Sequence, residues 1–593
     1  MSEYHAPLKD MNFVIGELAG LDRILQMPDF DSITDDVVDQ ILEESNRFSR
    51  EVLGPLNMPA DQEGCRVENK SVVVPEAFAD AYRQFVESGW QSLPASPDHG
   101  GMGLPETVSA ATMEMWQSAN LSFSLCPLLT SGAIAAIEAH ASDELKQIYL
   151  PKMVSGEWTG TMNLSEPQAG SDLAAVKTRV VPDGDRYRLT GTKIFITWGD
   201  QEFSENVVHL VLARLPDAPE GVRGISLFLV PKYLVNDDGS VGERNDAYCT
   251  SVEHKLGIHA SPTCVMTYGD GDGAIGYLVG EENRGLAGMF TMMNNARLNV
   301  GIQGLAISER AYQLARDFAQ QRVQGDAPGE KGRVTIIHHP DVRRMLLVMK
   351  SLIEGMRAVA YTTAAVVDTN HHGADPEEQA AAGTRAALLT PIVKGWMTEV
   401  AQELTSLGVQ IHGGMGFVEE TGAAQHMRDA RILPIYEGTT GIQAIDLVGR
   451  KILFDEGKAM KEWIEEMRSL DDELAAVDDL AAIRKSLSRG IEDLNAAVTW
   501  LLANALDDQN APGAASVNLL MLAGTVAGGW QMARAALAAT RRLADGDSDS
   551  AFLEAKVMTA QFYAAHILPR SSGYRQAAIS GSEVIMALPE ASF

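Results

Sequence analysis

Hydrophobic residues in this chain follow a helical period, then a strand period, then a helical period again, and this succession constrains the fold most. Helical spacing indicates an N-terminal extension at residues 1–36 and further helices to about Gly156. Between about Glu157 and Tyr277 the apolar runs are short, β-rich and bounded by turn residues. From about Gly285 helical spacing persists almost to Phe593. The pattern predicts a mainly α protein with a central β domain.

The segments between these changes predict how each domain packs. Several short strands without long intervening helices are typical of a small antiparallel barrel or sandwich. The helical stretches 297–320, 339–368 and 377–408 have short connections, as in an antiparallel helix bundle. The predicted domains are an N-terminal extension (1–36), an N-terminal helical domain (37–156), a β-barrel domain (157–284), a helical-bundle domain (285–455) and a C-terminal helical extension (456–593).

The charge balance argues against two classes of partner. Acidic residues outnumber basic ones by 80 to 48, which gives a formal net charge of −32. A field of that sign repels phosphate backbones and anionic membrane surfaces. We therefore expect neither a nucleic-acid partner nor a membrane, and we expect any anionic ligand to be held by local donors.

The cysteines and the termini predict a compartment. The four cysteines show no CxxC pairing or histidine spacing for a metal, so buried reduced thiols are expected and no metal site is predicted. The first residues, Met1–Pro7, have neither a basic nor an apolar signal region. The uncharged run from Gln509 to Ala533 contains Asn, Gln, Pro, Thr and several Gly, which favours a buried helix over a membrane span. The expected location is cytoplasmic.

One stretch, from Arg431 to Leu447, places a lone carboxylate before a helix start. Glu437 lies between an apolar run and a Gly-Thr-Thr-Gly step, and the following apolar residues predict a helix with one buried face: Ile442, Ile445, Val448 and Ile452. Unpaired N–H groups at a helix start favour an anion, so Glu437 could be a general base beside a phosphate-bearing ligand. The alternative is an acidic residue favoured by the helix dipole, and these residues alone favour that interpretation.

Several motifs occur in an order that resembles one family. The β region opens with Met162-Asn-Leu-Ser-Glu-Pro-Gln-Ala-Gly-Ser-Asp172, and Gly191-Thr-Lys-Ile-Phe-Ile-Thr-Trp198 follows. Arg297, the stretch 321–325, the glycine-rich stretch 410–417 and the Glu437 stretch come later. In this order, with helical, β and helical domains in succession, residues 37–455 resemble the acyl-CoA dehydrogenases. The extensions at both ends resemble the long branch of that family, which includes the 3-methylmercaptopropionyl-CoA dehydrogenases of dimethylsulfoniopropionate breakdown.

The resemblance implies a reaction. A thioester α-proton is weakly acidic, so its removal needs a positioned base and donors on the developing enolate oxygen. The family's pattern makes Glu437 that base, with its own N–H and a flavin ribityl hydroxyl as the oxyanion hole. The β-hydrogen then passes as hydride to flavin N5 of FAD. The implied substrate is 3-methylmercaptopropionyl-CoA, converted to methylthioacryloyl-CoA, with a short- or medium-chain fatty acyl-CoA as the alternative.

The resemblance also implies binding residues, carried over position by position. Those implied for FAD are Met162, Leu164, Ser165, Gly170, Ser171, Phe195, Thr197, Arg322, Gln324, Gln410, Gly413, Gly414, Thr439 and Gly441; those implied for CoA are Ser171 and Arg297. Three departures weaken parts of this set. Phe195 stands where the family often has Trp, Asn294 where several relatives have Asp, and the stretch 321–325 is one residue short.

Partners and rivals complete the expectations. Family relatives place Arg322 and the 410–414 loop against the FAD of a neighbouring subunit, which implies a homodimer, and electron-transferring flavoprotein is the implied acceptor. An acyl-CoA oxidase or flavin monooxygenase of the same fold would react with oxygen instead. A DNA-binding flavoprotein would need a basic patch, and a purely structural helical scaffold would be colourless.

Overall fold

The structure, a computed structural model, describes residues 3–593, and the chain divides into two compact units that are each discontinuous in sequence. The first unit takes the residues up to Glu44, then Pro105–Glu114 and Val300–Phe593. The second takes Ser45–Leu104 and Met115–Asn299. The helices are α1 (Leu8–Phe13), α2 (Leu21–Ile24), α3 (Asp35–Phe48), α4 (Gly54–Glu63), α5 (Ala77–Glu87), α6 (Glu106–Ala119), α7 (Leu121–His140), α8 (Asp143–Val154), α9 (Gly285–Gln321), α10 (Pro340–His372), α11 (Pro376–His412), α12 (Ala423–Ala430), α13 (Thr440–Asp446), α14 (Lys458–Ser469), α15 (Asp471–Ala475), α16 (Ala481–Asn504), α17 (Ala511–Ala544), α18 (Ser550–Phe562), α19 (Arg570–Ala578) and α20 (Glu583–Ala587).

The strands belong to the second unit, apart from one short hairpin in the first. They are β1 (Arg66–Glu68), β2 (Ser71–Val73), β3 (Trp158–Asn163), β4 (Arg179–Asp183), β5 (Arg186–Thr197), β6 (Asn206–Ala213), β7 (Ser226–Pro231), β8 (Tyr233–Val235), β9 (Val241–Arg244), β10 (Ala247–Val252), β11 (Thr263–Tyr268), β12 (Ala274–Val279), β13 (Val323–Asp326) and β14 (Arg333–Thr335). The expected change from helices to strands and back is therefore confirmed.

The main sheet of the second unit has eight strands. Its order is β10-β11-β5-β12-β7-β6-β3, with β4 paired to β5. The expectation of a wholly antiparallel sheet was wrong at one place, because β3 pairs with β6 in parallel, Trp158 opposite Asn206. The chain returns beside the start of β3 before β6 begins, where the Glu205 N–H donates to the Glu157 carbonyl at 3.1 Å. All residues of β6 and β7 are buried, so both faces of these central strands are covered.

Helix α7 completes the core of the second unit and starts at an N-cap. The Asn120 side chain accepts a hydrogen bond from the Phe123 N–H at 3.1 Å, which satisfies one open donor at the helix start. This helix and α17 of the first unit are the two in the described chain that are long and apolar enough to cross a membrane. Their apolar windows are 83% and 67% buried within the protein, as expected of core helices. The prediction of a buried helix at 509–533 is confirmed.

The first unit is built on long helices, with α10 and α11 joined by a short turn after His372. Helices of the C-terminal extension pack on them, most closely where Gly524 of α17 meets Trp396 of α11. A Cβ on Gly524 would lie 2.1 Å from Trp396 Cγ, so only glycine allows this approach. The extension is thus part of the core of the first unit.

A buried charge cluster around Arg357 joins both chain extensions to α10. The Arg357 guanidinium donates to Glu114 Oε1 at 2.7 Å and to Glu309 Oε2 at 2.8 Å, and it pairs with Asp10 of the N-terminal extension. Lys556 of the C-terminal extension also pairs with Asp10. Burial opposes the charge on Asp10, but the two cations outweigh it and lower the pKa of that carboxyl.

The cysteines lie as free thiols, as expected. Cys126, Cys249 and Cys264 are buried, whereas Cys65 is partly exposed. Burial raises the pKa of Cys65 to about 12, so its thiol stays protonated at neutral pH.

Candidate active site

The loop after β3 carries the first group of residues expected to contact FAD. Met162 is in β3 and is buried, Leu164 and Ser165 follow half-buried, and Gly170 and Ser171 are exposed. The turn between Met162 and Ser171 closes on itself, since the N–H groups of Glu166 and Ala169 each donate to the other's carbonyl at 2.9 Å. The loop therefore presents glycine and serine outward from a rigid base.

A buried ion pair ties this loop to β5. Lys193 Nζ donates to Glu166 Oε1 at 2.8 Å and to the Leu164 carbonyl at 2.9 Å. The Glu166 carboxylate also accepts from the N–H groups of Lys177 at 2.7 Å and Thr178 at 3.0 Å. Burial opposes the charge on Glu166, but Lys193 and these donors outweigh it and lower its pKa to about 2. Burial lowers the pKa of Lys193 to about 8, against the opposing effect of Glu166.

Phe195 and Thr197, the second group expected at the flavin, lie on the same strand next to this loop. The Ile194 N–H donates to the Ser165 carbonyl at 2.9 Å, so the structure brings the two groups together. Phe195 is 61% exposed although its neighbour Ile196 is 2% exposed. Its φ of 59° is left-handed, a strained conformation for an aromatic residue. An open aromatic face beside a serine- and glycine-bearing loop fits a flavin ring.

The two residues expected at CoA have different surroundings. Ser171 is exposed on the loop. Arg297 in α9 is only 6% exposed, so it is not a solvent-exposed arginine on the surface of the helix. Asn294 lies one turn earlier in the same helix. A buried guanidinium is a stronger candidate for a positioned ligand contact than an exposed one, because it keeps a fixed geometry.

Glu437 lies in a two-residue left-handed step before α13. The φ of Glu437 is 53° and that of Gly438 is 85°. Thr439 is the N-cap of α13, its hydroxyl accepting from the Ile442 N–H at 3.2 Å. Glu437 itself is half-buried. The predicted helix start is confirmed, and Glu437 lies outside the helix in a conformation that L-residues rarely adopt.

The predicted buried face of this helix was wrong at one residue. Ile445 is 55% exposed, whereas Ala444, Leu447 and Val448 are buried. The buried residues follow α-helical spacing from Ala444, one position before Ile445, and the chain then passes into a π-helical segment, Leu447–Leu453. Spacing at a regular 3.6-residue period does not anticipate such a change.

Donors from two helices hold the carbonyl groups of the base loop, Pro434–Thr439. Lys394 Nζ of α11 donates to the Gly438 carbonyl at 2.7 Å. Gln443 Nε2 of α13 donates to the Glu437 carbonyl at 3.2 Å. The Thr440 N–H closes the loop on the Pro434 carbonyl at 3.0 Å. Both left-handed residues thus have their carbonyls fixed by side chains.

Side chains on either side of Glu437 are fixed as well. The Tyr436 hydroxyl donates to Gln303 of α9, and the Thr440 hydroxyl donates to Glu399 Oε1 of α11 at 2.6 Å. Burial, with a smaller effect of the Glu437 carboxylate, raises the pKa of Tyr436 well above its ordinary value. Tyr436 therefore stays a neutral donor beside a carboxylate whose neighbours cannot shift freely.

The remaining predicted FAD residues lie at the far end of the same bundle. Arg322 and Gln324 follow α9, and Gln410, Gly413 and Gly414 end α11, where the rings of Phe318 and His412 are 4.5 Å apart. Arg322, Gln324, Gln410, Gly413 and Gly414 are exposed. Lys394, which contacts the base loop, is 16 residues from Gln410 along α11. At 1.5 Å per residue this is about 24 Å. The first unit therefore brings these residues to one another but not to Glu437.

Comparisons with known proteins agree with this architecture. Family models match four consecutive stretches: the acyl-CoA dehydrogenase N-terminal domain (37–157), its middle domain (161–270), its C-terminal domain (283–453), and an acetyl-CoA dehydrogenase C-terminal-like domain (458–589). The crystal structure of an acyl-CoA dehydrogenase from Bacillus anthracis, complexed with FAD, aligns with a TM-score of 0.73 at 20% identity. It covers 96% of this chain and 91% of that one.

The chain belongs to the acyl-CoA dehydrogenase family, an FAD-dependent oxidoreductase class acting on CH–CH bonds. The 3-methylmercaptopropionyl-CoA dehydrogenase of Ruegeria pomeroyi is 51% identical to it over 575 residues, covering 96% of this chain and 97% of the relative. A butyryl-CoA dehydrogenase of Syntrophomonas wolfei is 35% identical over 612 residues, covering 100% and 99%. The resemblance and the fold class predicted from sequence are confirmed.

Sequence reasoning missed the residues that hold the two loops. Glu166 and Lys193 stand inside the quoted motifs, yet neither was predicted as part of the site. Lys394 is the lone charge in an otherwise uncharged run from Ala386 to Thr398. A single charged residue in an apolar helical or strand pattern was the available signal, because burial of a charge requires a specific partner.

Proposed function

We propose that this enzyme introduces a double bond between Cα and Cβ of 3-methylmercaptopropionyl-CoA, with Glu437 as the base. The proposed substrate rests on the 51% identity to the 3-methylmercaptopropionyl-CoA dehydrogenase of Ruegeria pomeroyi, over almost the whole length of that enzyme. The Glu437 loop supports the chemistry, since Glu437 is half-buried and its backbone is held by hydrogen bonds before a capped helix start. Butyryl-CoA is the second candidate, favoured by the full-length match to the Syntrophomonas wolfei enzyme.

The residues of the base loop account for the proton transfer. The Glu437 carboxylate removes the α-proton, and the Glu437 N–H donates to the thioester oxygen as negative charge develops there. A base fixed on both sides loses little orientational freedom on substrate binding, which lowers the barrier. FAD, when bound, accepts the β-hydrogen as hydride. The substrate thus loses one proton and one hydride, and the product is methylthioacryloyl-CoA.

The cofactor residues form two groups. Met162, Leu164, Ser165, Gly170 and Ser171 would hold the ring and pyrophosphate, together with Phe195 stacking on the ring and Thr197 bonding to it. Thr439 and Gly441 would meet a phosphate at the start of α13, where N–H groups favour an anion. Ser171 and Arg297 would hold CoA.

A homodimer would let one cofactor use both ends of the bundle. Gln410 is about 24 Å along α11 from Lys394, which contacts the base loop. Gly413 and Gly414 follow it, and Arg322 and Gln324 lie after the neighbouring end of α9. We therefore assign all five residues to the FAD of a second subunit. A monomer would leave this exposed surface without a ligand. Sedimentation equilibrium should give a dimer, and FAD release on dilution should follow dissociation.

An electron acceptor and a compartment complete the proposal. Electron-transferring flavoprotein is the proposed acceptor, and the cytoplasm is the proposed location, where the free thiols of Cys126, Cys249 and Cys264 would stay reduced. A panel of acyl-CoA thioesters, assayed with a dye acceptor and in air, tests the proposed substrate and whether oxygen is an acceptor. We expect the highest kcat/KM for 3-methylmercaptopropionyl-CoA and little peroxide. A clear preference for butyryl-CoA would select the second candidate, and rapid peroxide formation would indicate an oxidase.

A further inference from the structure

Lys394 is a fully buried amine that donates a hydrogen bond to the base loop. Its side chain is 0% exposed, and Nζ donates to the Gly438 carbonyl at 2.7 Å. Burying an ammonium is costly unless it is paired and hydrogen-bonded, so an apolar residue would suit this helix better for packing alone. The placement of a charge here implies a task that involves the loop.

The task concerns the left-handed step. A left-handed conformation costs a residue with a side chain about 1–2 kcal/mol, and Glu437 adopts it at φ 53°. The Gly438 carbonyl orients the peptide that follows, and therefore the turn into the N-cap at Thr439. With that carbonyl held by Lys394 and the Glu437 carbonyl held by Gln443, the backbone from which the Glu437 side chain projects is held in place.

The C-terminal extension holds Lys394 from the opposite side of α11. Gly395 and Trp396, the two residues after Lys394, pack on α17. A Cβ on Gly395 would lie 2.5 Å from Leu520 Cδ2, and one on Gly524 would lie 2.1 Å from Trp396 Cγ. Helices in contact at glycine cannot shift towards each other, and a larger side chain forces them apart. The position of Lys394 therefore depends on α17.

We propose that Lys394 is a positioning residue for the base, and that helix α17 of the C-terminal extension keeps it in place. The proposal rests on the proposed role of Glu437 as the base. It assigns the extension a part in catalysis: α17 packs against Trp396 of α11, and Lys394 of the same helix donates to the Gly438 carbonyl next to Glu437.

Replacing Lys394 with Met tests whether the hydrogen bond to the Gly438 carbonyl positions the base. Methionine has a similar side-chain length but no hydrogen-bond donor. We expect kcat to fall by roughly 10²-fold with KM changed less than about threefold, since a small misplacement of a reacting group has effects of this size. Hydrogen exchange at the Thr440 N–H should become faster in the apoenzyme, while FAD content stays at the wild-type level. Unchanged kcat and unchanged exchange would overturn the proposal.

A 3-thiaacyl-CoA separates the proton-transfer step from hydride transfer. Its α-proton can be removed, but it has no β-hydrogen to give up, so long-wavelength absorbance with oxidised flavin reports deprotonation alone. Lys394→Met should bind this analogue and show at least a tenfold weaker absorbance. Full absorbance would mean that the base is correctly placed without Lys394.

Replacing Gly524 with Ala tests the contact between α17 and Trp396, with Gly513→Ala as the matched control on the same helix. A Cβ at Gly513 meets nothing within 4 Å, whereas one at Gly524 clashes with Trp396. We expect Gly524→Ala to lose kcat and speed up Thr440 exchange in the same direction as Lys394→Met, and Gly513→Ala to match wild type. If Gly524→Ala retains both wild-type values, α17 does not position the base.

The Glu437→Gln variant distinguishes a failure of the proposed role of Glu437 from a failure of the positioning role of Lys394. Glu437→Gln with wild-type turnover would remove Glu437 as the base, whatever Lys394→Met does. Loss of turnover in Glu437→Gln together with wild-type behaviour of Lys394→Met would leave the base in place and reject only the positioning role.

Discussion

The loop after β3 and the base loop before α13 are both held rigidly, but by opposite means. The first is held by its own charged residue, because Glu166 lies in the loop and pairs with Lys193 of the neighbouring strand. The base loop is held through its main chain, whose carbonyls accept from Lys394 and Gln443. The loop after β3, which we propose binds FAD, thus contains the charged residue that stabilises it, Glu166. The base loop, which carries the proposed catalytic carboxylate, is held instead by donors on α11 and α13 that bind its main-chain carbonyls.

The largest expected effect concerns the Glu437 carboxylate of the base loop. Glu437→Gln should lower kcat by roughly 10²–10⁴-fold, the usual contribution of a general base, while FAD and substrate still bind. Stopped-flow flavin reduction and equilibrium titration measure the two parts. Glu456→Gln is the matched control, since Glu456 also has a left-handed φ of 57° but is exposed. Equal losses in both variants would contradict a specific role for Glu437.

Removing one partner of the buried pair should destabilise the loop after β3. Lys193→Met leaves Glu166 buried without its cation, and breaking such a pair typically costs about 3–5 kcal/mol. Urea unfolding followed by flavin release should show a lower midpoint and reduced FAD content. Lys177→Met, which removes an exposed lysine from the same loop region, should match wild type. A stable Lys193→Met variant with full FAD would mean that the pair does not hold this loop.

The same pair predicts a pH dependence. The pKa of Glu166 falls from about 4.5 unfolded to about 2 folded, so its stabilisation is complete above pH 4.5 and is lost as pH falls towards 2. The shift corresponds to about 3 kcal/mol. Glu166→Gln should therefore be less stable than wild type at pH 7, with a difference that shrinks below pH 4.5. Urea unfolding midpoints of both proteins from pH 7 to 3.5 measure this stability difference. A difference that stays constant with pH would show that Glu166 does not have a lowered pKa in the folded protein.

The smallest effect concerns the exposed aromatic face. Phe195→Ala should weaken FAD binding about tenfold, because aromatic stacking contributes about 0.5–1.5 kcal/mol beyond area burial. Phe195→Trp keeps the stacking and should restore the affinity. Fluorescence titration of the apoenzyme with FAD gives both dissociation constants. An alanine variant with wild-type affinity would show that the loop alone holds the cofactor.

The sequence predicted the parts of the fold that have a periodic or motif signal. The β region, the long helices and the Thr439 helix start are where the pattern placed them. The parallel β3–β6 pair, the π-helical change at Leu447 and the support of Glu437 by Lys394 were not predicted. They depend on contacts between residues distant in sequence, such as the 44 positions between Lys394 and Gly438. Local spacing contains no information about such contacts.

The charge cluster around Arg357 has a consequence for how the chain is made. Asp10 is 347 positions from Arg357, and Lys556 arrives only near the end of synthesis. Until then, Asp10 and the carboxylates at Glu114 and Glu309 lack part of their neutralising charge in the interior, which is costly. The N-terminal helix that carries Asp10 therefore reaches its final packing only after the C-terminal segment has been synthesised. We therefore expect the first unit to assemble late and cooperatively. A chain truncated before Lys556 should fail to complete this cluster.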